Sequence, residues 1–268
     1  MGASPQLRLG TSSWTAKGWL GSFYPSGTKP GDFITEYAKR YDTVEIDATF
    51  YATPAESTVL GWRDKTPDGF LFATKAPQVI THDKFLEDCQ HELNGYLKAM
   101  SLLEDKLGPI LFQFQYYAKR TGVTEDEFLV RLTRFLKTLP EDGFRFAVEV
   151  RNKTWINPQL FETLHDHKVA LCLIDHPWMA SPDVLFKHRE ILTNQFLYLR
   201  WLGDRRGIEK VTKVWNESVV EREKDLARWV PHIKHVLDQG MDVFGYVNNH
   251  YGGHAPDNIE QLKKMMGE

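Results

Sequence analysis

Ionisable side chains recur at the ends of short apolar segments in this sequence, where they could carry out acid/base chemistry. Glu149 and Arg151 follow the apolar residues 146–148, and Lys75 closes the segment 71–74. A carboxylate whose pKa is set by neighbouring cations can act as a general acid or base, and a desolvated lysine can form a Schiff base. Asp175 would pair with Lys75 or share in proton transfer. The predicted catalytic residues are therefore Glu149, Lys75, Asp175 and Arg151.

An anion-binding site is predicted from a second group of residues. Arg200 ends an apolar segment, and a glycine pair in the segment 248–253 precedes a predicted helix. Backbone N–H groups at such a place can approach a carboxylate or phosphate. The glycine pair is equally typical of a flexible turn, and His82, in a loop, is either a ligand-binding or a solvated residue.

Further polar and aromatic residues could orient a substrate. Asp47, Gln113 and Asn249 would hold hydroxyl groups, and Trp14 and Tyr51 would stack on a ring, while Trp19 and Phe23 are expected to pack the first loop. The residues predicted to bind substrate are Trp14, Asp47, Thr49, Tyr51, His82, Gln113, Arg200, Asn248, Asn249, His250, Gly252 and Gly253.

Eight short apolar segments alternate with helical patterns and would position these groups. The predicted strands are 7–12, 43–47, 70–75, 109–115, 146–150, 169–175, 196–201 and 242–248. Thr124 and Glu127 form a capping-box pattern, and a long helix is predicted to end near Gln239, ahead of Gly240. Repeated strand–helix units predict an α/β fold, a single-domain (β/α)₈ TIM barrel over residues 1–268, with a doubly wound open sheet as the alternative.

Strand parity predicts where the charged residues point. Val44 and Ile46 share one face of the second strand, and Glu45 and Asp47 share the other. Because the helix-facing side of each strand must be apolar, the polar set should face the barrel axis and converge at the C-terminal mouth, where barrel enzymes place their chemistry. The alternative is a set of interior ion pairs that fills the barrel without chemistry.

Composition and missing motifs argue against several classes of function. The net charge of −3 lacks the basic excess typical of nucleic-acid-binding domains. Cys89 and Cys172 are too few for a disulfide framework or a clustered zinc site. No P-loop, dinucleotide-binding, nucleophile-elbow or HExxH motif is present, so we predict no cofactor and no metal. Residues 1–9 lack a signal-peptide pattern and no long apolar run occurs, which predicts a cytoplasmic protein without membrane contact.

Six motifs resemble the YecE-like family of TIM-barrel proteins, also called domain of unknown function 72. They are LGTSSW (9–14), EIDATFY (45–51), FATKAP (72–77), LGPILFQF (107–114), AVEVRN (147–152) and NNH (248–250). The resemblance covers nearly the whole chain and implies the barrel fold, but no established activity. Asp47 stands where the family pattern has Asn, Gln115-Tyr116-Tyr117 replaces prolines, and Leu202 replaces His. These departures predict a substrate pocket that differs from the family pattern.

The sequence as a whole predicts an enzyme that acts by metal-independent acid/base chemistry on a small polar anionic substrate, a carboxylate or a phosphate. One alternative is a protein that binds or processes nucleic acid, because barrel-type repair endonucleases share this general fold. The other is a non-catalytic module that binds a metabolite.

Overall fold

Eight parallel strands form a sheet that is almost closed on itself in the computed structural model, which describes residues 5–267. The strands are β1 Leu7–Thr11, β2 Thr43–Ile46, β3 Leu71–Lys75, β4 Leu107–Gln113, β5 Phe146–Glu149, β6 Ala170–Asp175, β7 Phe196–Trp201 and β8 Asp242–Val247. They pair in the order β1-β8-β7-β6-β5-β4-β3-β2. The pairing of β1 with β8 excludes the open doubly wound sheet and confirms the predicted (β/α)₈ TIM barrel. Residues 1–4 and 268 lie outside the described residues, so the predicted domain limits stay a prediction.

Helices form the outer layer of the barrel. They are α1 Phe33–Tyr37, α2 Glu56–Asp64, α3 Gln90–Met100, α4 Glu125–Leu136, α5 Pro158–Asp166, α6 Pro182–Leu185, α7 Arg205–Ile208, α8 Glu223–Ala227, α9 Val230–Asp238, α10 Asn249–Gly252 and α11 Ala255–Met266. Thr124 caps α4 as predicted, because its Oγ1 accepts a hydrogen bond of 3.2 Å from the Glu127 N–H. None of the helices within residues 5–267 is long and apolar enough to cross a membrane.

The prediction of one long helix between β7 and β8 is wrong. Three short helices, α7, α8 and α9, stand there instead, joined by turns and irregular backbone. Pro231 occupies the first turn of α9, and because it has no N–H to donate, a preceding helix cannot continue through it.

The barrel wall separates two apolar clusters, as strand alternation requires. Side chains such as Phe72, Val148 and Leu173 face outward and pack among the helices. Leu111 and Tyr198 belong to a separate cluster inside the barrel. The charged residues at the C-terminal ends of the strands lie above this interior cluster, and they line the mouth.

The seam between β1 and β2 is the one junction of neighbouring strands in the described barrel without a hydrogen-bonded ladder. The buried hydroxyl of Tyr37 bridges it, accepting from the Thr11 N–H at 2.8 Å and donating to the Thr43 carbonyl at 3.1 Å. The two strands approach closely here, since a Cβ on Gly10 would lie 2.2 Å from the Thr43 oxygen. Glycine at position 10 therefore allows the barrel to close.

Candidate functional site

A buried arginine is the centre of a charged network inside the barrel. Arg200 on β7 donates from Nε and Nη2 to Glu45 Oε1, at 3.2 and 2.8 Å, and from Nη1 to Glu149 Oε2 at 2.7 Å. The Tyr198 hydroxyl donates to the other oxygen of Glu45 at 2.7 Å. All four residues are buried. An unpaired buried charge is costly, so these mutual contacts explain how two glutamates can lie inside the barrel.

The network keeps Glu149 ionised. Burial by itself would raise the pKa of its carboxyl, but the positive charges of Arg151 and Arg200 outweigh burial and lower that pKa to about 2. In Arg200, burial acts to lower the pKa of the guanidinium, and Glu45 and Glu149 raise it well above its usual value. Glutamate and arginine therefore both stay charged at neutral pH.

The network reaches solvent through residues at the mouth of the barrel. Arg151 Nε donates to Glu149 Oε1 at 2.5 Å, and the Arg151 side chain is 27% exposed. Asp47 Oδ1 lies 3.1 Å from Lys75 Nζ and 3.6 Å from Arg200 Nη2, yet it accepts no hydrogen bond from residues 5–267, so these contacts are electrostatic. The Asp47 side chain is 35% exposed, whereas that of Lys75 is buried. Arg151 and Asp47 are thus the charged members that a ligand can reach.

Lys75 is held from several directions. Its Nζ lies 4.3 Å from the centre of the Phe50 ring, a cation–π contact, in addition to its contact with Asp47. Its backbone N–H donates to Thr49 Oγ1 at 3.1 Å, and Thr49 donates to the Ile46 carbonyl at 2.8 Å. Thr49 is buried and links the end of β2 to the end of β3. The structure therefore does not support its predicted contact with substrate.

Three histidines surround the network. A π-helical turn over Val79–Asp83 carries His82, His176 follows β6, and His250 lies in α10. Burial is the largest cause that lowers the pKa of each imidazole. The charge of Lys75 lowers the pKa of His82 further, and the charge of Arg151 lowers those of both His82 and His176. These shifts favour the neutral form of His82 and His176 at pH 7.

The sequence does not predict His176 as a site residue, because a single loop histidine has no characteristic spacing to other residues. Its place directly after a predicted strand is the only hint. Its Nδ1 accepts a hydrogen bond of 3.2 Å from the Trp178 N–H, which places the proton of the neutral ring on Nε2.

Two further predicted residues lie at the mouth and remain partly accessible. Gln113 ends β4 in register with Glu149 on β5, and its Nε2 donates to the Phe114 carbonyl at 2.6 Å. Tyr51 is 73% exposed and meets only the edge of the Phe50 ring among the aromatic contacts described. Their predicted contacts with substrate stay predictions.

The predicted pairing of Asp175 with Lys75 is wrong. Asp175 has the parity of Leu171 and Leu173, which face the helices, so its side chain leaves the barrel axis. Its Oδ2 accepts from Trp229 Nε1 at 2.7 Å and from the Tyr251 hydroxyl at 3.2 Å. Burial raises the pKa of the Asp175 carboxyl, which lies outside the charged network.

The structure does not support Trp14 as a wall of a substrate pocket. It is buried and makes edge contacts with Trp62 and Phe72, at ring-centroid distances of 5.7 and 6.3 Å. Phe72 faces outward from the barrel, so Trp14 belongs to the outer core. Trp19 and Phe23 pack the first loop as predicted, with both rings buried.

The structure does not support an anion-binding glycine loop after β8. Gly252 and Gly253 are buried, and a Cβ on Gly253 would lie 2.7 Å from the Glu217 carbonyl oxygen. The Gly252 carbonyl accepts from the Val219 N–H at 2.8 Å. The glycines therefore allow two backbone segments to pack closely, and they leave no open space in which an anion could bind.

Asn248, Asn249 and His250, which precede these glycines, also contact other groups of the protein. Asn248 caps α10, its Oδ1 accepting from the His250 N–H at 2.9 Å, and His250 Nε2 lies 3.3 Å from Glu209 Oε1. Asn249 Oδ1 accepts from Trp19 Nε1 and from the Ala255 N–H. Asn249 therefore joins the first loop to α11, and its predicted contact with a substrate hydroxyl stays a prediction. All three nitrogen atoms of Arg200 contact buried glutamates, so the structure does not support its predicted contact with a substrate anion.

Metal-binding geometry is not found around these carboxylates. Glu45, Asp47 and Glu149 each contact cationic side chains. Within residues 5–267 no group of three or more His, Cys, Asp or Glu side chains is arranged to hold a metal ion.

Cavities at the mouth lie on two sides of the network. One of about 580 Å³ lies between the loops after β4, β5 and β6 and is lined by Arg151, Tyr116, Lys119, Lys153 and Trp178 among others. We call it the β4–β6 cavity. A second, of about 270 Å³, is lined by Asp47, Ser12, Asn248 and His250 among others. A larger cavity of about 1000 Å³ lies at the opposite, N-terminal end of the barrel, where it contacts no member of the network.

Comparison with protein families gives one match along almost the entire chain. A family model described as "Protein of unknown function DUF72" matches residues 8–268. The UPF0759 protein YunF of Bacillus subtilis is 28% identical over 280 residues, which cover 97% of this chain and 94% of YunF. The UPF0759 protein YecE of Escherichia coli K12 is 31% identical over 155 residues, 58% of this chain and 50% of YecE.

Solved structures of similar fold support the barrel. A DUF72 family protein of Thermotoga maritima, TM1631, superposes with a TM-score of 0.79 at 23% identity, over 98% of this chain and 99% of that one. A DUF72 family protein of Enterococcus faecalis, EF0366, gives a TM-score of 0.72 at 22% identity, over 98% and 96% of the two chains. At these identities the likeness shows the fold alone.

Proposed function

The chain belongs to the DUF72 family of proteins of unknown function, and on that premise we propose that it is an enzyme that transfers a proton to or from a small polar anionic substrate at the barrel mouth. Arg151 binds the anion and His82 transfers the proton. The observation that carries this proposal is that the buried network fixes Arg151 on one side and leaves the rest of its guanidinium accessible.

Arg151 has the properties of a pre-organised anion site. Its Nε is tied to Glu149, which Arg200 holds in turn, while its Nη1 and Nη2 make no hydrogen bond within residues 5–267. A guanidinium fork matches the geometry of a carboxylate or phosphate and can bind it through two parallel hydrogen bonds. Because the side chain is already ordered, little conformational entropy is lost when the anion binds.

His82 is better suited than Glu149 to transfer a proton. Glu149 has a pKa of about 2 and no exposed surface, so it is a weak base that no substrate reaches. We therefore assign Glu149 to positioning Arg151. Burial, and then Lys75, lower the pKa of His82, which leaves a neutral imidazole able to accept a proton. A bound anion would offset the charge of Arg151 and help to stabilise the protonated ring.

Asp47 and Gln113 complete the polar surroundings of the proposed site. The exposed part of the Asp47 carboxylate can accept hydrogen bonds from substrate hydroxyls, and Gln113 lies at the same end of the barrel. Lys75 as a Schiff-base residue stays a separate prediction, because its contacts with Asp47 and Phe50 are those of a cation. A cytoplasmic location is also part of the proposal, which fits two free, buried cysteines.

A binding and turnover screen tests the proposal. Thermal-shift assays would use sulfate, ribose 5-phosphate, succinate and nucleoside monophosphates with the wild-type protein, Arg151→Gln, His82→Gln and the exposed control Lys98→Gln. We expect Arg151→Gln to lose the stabilisation by anions. His82→Gln should keep binding and lose turnover of the substrate that emerges, whereas Lys98→Gln should match the wild type.

Other outcomes separate the alternatives. Binding of an anion without any turnover would favour the non-catalytic module. Salt-sensitive binding of oligonucleotides without binding of small anions would favour the nucleic-acid alternative. An anion response that is unchanged in Arg151→Gln would contradict the proposed site.

A further inference from the structure

We infer that the substrate carries a planar aromatic ring beside its anion, as a nucleoside monophosphate does, and that the ring stacks against Trp178 in the β4–β6 cavity. The inference rests on the proposed anion site at Arg151 and names the chemical class of its ligand. Arg151 and Trp178 line the same cavity of about 580 Å³, a volume within the usual range for a small-molecule site.

Large aromatic side chains are exposed only around the barrel mouth in the described part of the chain. Trp178 is 70% exposed, Tyr116 is 59% exposed and Tyr51 is also exposed. They follow β6, β4 and β2, so all three lie on loops at the C-terminal end of the barrel. Removing an aromatic ring from water is favourable by about 25 cal/mol per Å². Two of these rings, Trp178 and Tyr116, line the β4–β6 cavity, which indicates a surface that a ligand covers.

Trp178 is exposed but its loop is well fixed. Its backbone N–H donates to His176 Nδ1, and the Met179 N–H donates to the His176 carbonyl at 2.9 Å. The His176 and Trp178 rings are 5.2 Å apart and meet edge to face. Most of the indole surface is accessible to a stacking ring, and the fixed loop limits the ordering cost of binding.

The opposite requirement, a site for negative charge, is met in the same cavity. Lys119 and Lys153 line it together with Arg151, and neither lysine has an ion pair within residues 5–267. Glu125 is the only carboxylate among the lining residues, and it accepts a hydrogen bond from Asn157. Three cations and two exposed aromatic rings in one cavity fit a ligand with a π-face at one end and an anion at the other.

Tyr116 is the second exposed ring at this cavity. It lies in Gln115-Tyr116-Tyr117, in the loop after β4. Tyr117 turns inward, stacking on Trp155 at 5.6 Å and donating its N–H to Asn152 Oδ1 at 2.9 Å. Tyr116 is left outside, at the edge of the cavity. The loop after β4 thus presents one ring to the core and a second ring to the cavity.

The test compares ligands that share the anion and differ in the ring. Titration calorimetry would measure AMP, GMP, CMP, UMP and indole-3-acetate against the ring-free anions ribose 5-phosphate and succinate. Stacking on one base is worth about 1–3 kcal/mol, which corresponds to roughly 5- to 150-fold in affinity. We expect at least one ring-bearing anion to bind better than the ring-free anions by a factor in this range.

Variants at Trp178 then locate the ring. Trp178→Leu should remove the preference for the ring-bearing anion and leave the affinity for ribose 5-phosphate unchanged, whereas Trp178→Phe should retain most of the preference. Because the side chain is exposed, neither variant should change the unfolding midpoint, so a loss of affinity cannot come from misfolding.

The outcomes distinguish this inference from the proposed function. Ring-free anions that bind as well as the ring-bearing set, without effect of Trp178→Leu, would overturn the inference and leave the anion site at Arg151 intact. Failure of every anion to bind would overturn both. Oligonucleotides that bind far more tightly than any mononucleotide would overturn the small-molecule class and indicate a strand of nucleic acid.

Discussion

Arg200 Nη1 lies 2.7 Å from Glu149 Oε2 in the interior of the barrel, and neither side chain is more than 3% exposed. The other carboxylate oxygen of Glu149 contacts Arg151 at the mouth. Glu149 therefore connects a fully buried cation to one that solvent reaches. This relationship links the stability of the barrel to the geometry of the proposed site.

Removing the charge of Glu149 should destabilise the protein strongly. Glu149→Gln leaves Arg200 with one ionised partner fewer in a buried setting, and the loss of one partner from a buried pair typically costs about 3–5 kcal/mol. Urea unfolding measures the change in the free energy of unfolding. The exposed control Glu141→Gln should stay within about 0.5 kcal/mol of the wild type, and an equal effect in the two variants would contradict the network.

Stability should fall in acid because of the same carboxyl group. The folded-state pKa of Glu149 is about 2 against its usual value of 4.5, so its stabilising contribution is complete above pH 4.5 and is lost as the pH falls toward 2. A difference of this size corresponds to something on the order of 3 kcal/mol. The difference in the free energy of unfolding between wild type and Glu149→Gln should therefore shrink as the pH falls from 6 toward 2. Curves that keep a constant separation would show that Glu149 does not titrate in this way.

The seam of the barrel should depend on a single hydroxyl group. Tyr37→Phe leaves the Thr11 N–H and the Thr43 carbonyl without their shared partner in a buried place, which should cost about 1–3 kcal/mol. Tyr51→Phe removes an exposed hydroxyl and serves as the matched control. Thermal unfolding compares the two. If Tyr37→Phe were as stable as Tyr51→Phe, the hydroxyl would not be needed to close the seam.

The loop after β8 should tolerate no side chain at Gly253. Gly253 and Gly27 both have positive φ angles, +111° and +86°, but a Cβ meets nothing within 4 Å at Gly27 and lies 2.7 Å from the Glu217 carbonyl at Gly253. Gly27→Ala should cost about 1–2 kcal/mol for its backbone conformation, and Gly253→Ala should cost clearly more. Equal losses in the free energy of unfolding would show that the two segments can separate. The prediction of an anion-binding loop would then stand again.

The strands were predictable because short apolar segments with turn residues between them leave few alternatives. β7 has the limits that its sequence predicts, and each limit of β4 is displaced by two residues. Strand parity also placed Glu45 and Lys75 inside the barrel. The helices between β7 and β8 were harder to predict, since a weakly periodic segment does not show where packing will interrupt it.

The site was only partly predictable, because sequence shows which side a residue faces but not how deep it lies or what it contacts. Arg200 and Arg151 both follow apolar strand residues, yet one is saturated by glutamates and the other reaches solvent. Asp175 has the same strand parity as Leu171 and Leu173, which face outward, so parity by itself predicts that Asp175 points outside the barrel. The roles of Gly252 and Gly253 depend on a distant segment that local pattern does not reveal.

An NMR titration of His82 tests most directly whether the network presents a cation that binds an anion beside a neutral imidazole. The His82 signals would be assigned by comparison with His82→Gln, and sulfate would serve as an anion that does not titrate in this range. We predict a pKa below the usual 6.5 for His82, a rise in that pKa when sulfate is added, and no such rise in Arg151→Gln. A pKa of His82 at its usual value, or a response to sulfate that is the same with and without Arg151, would contradict the proposed site.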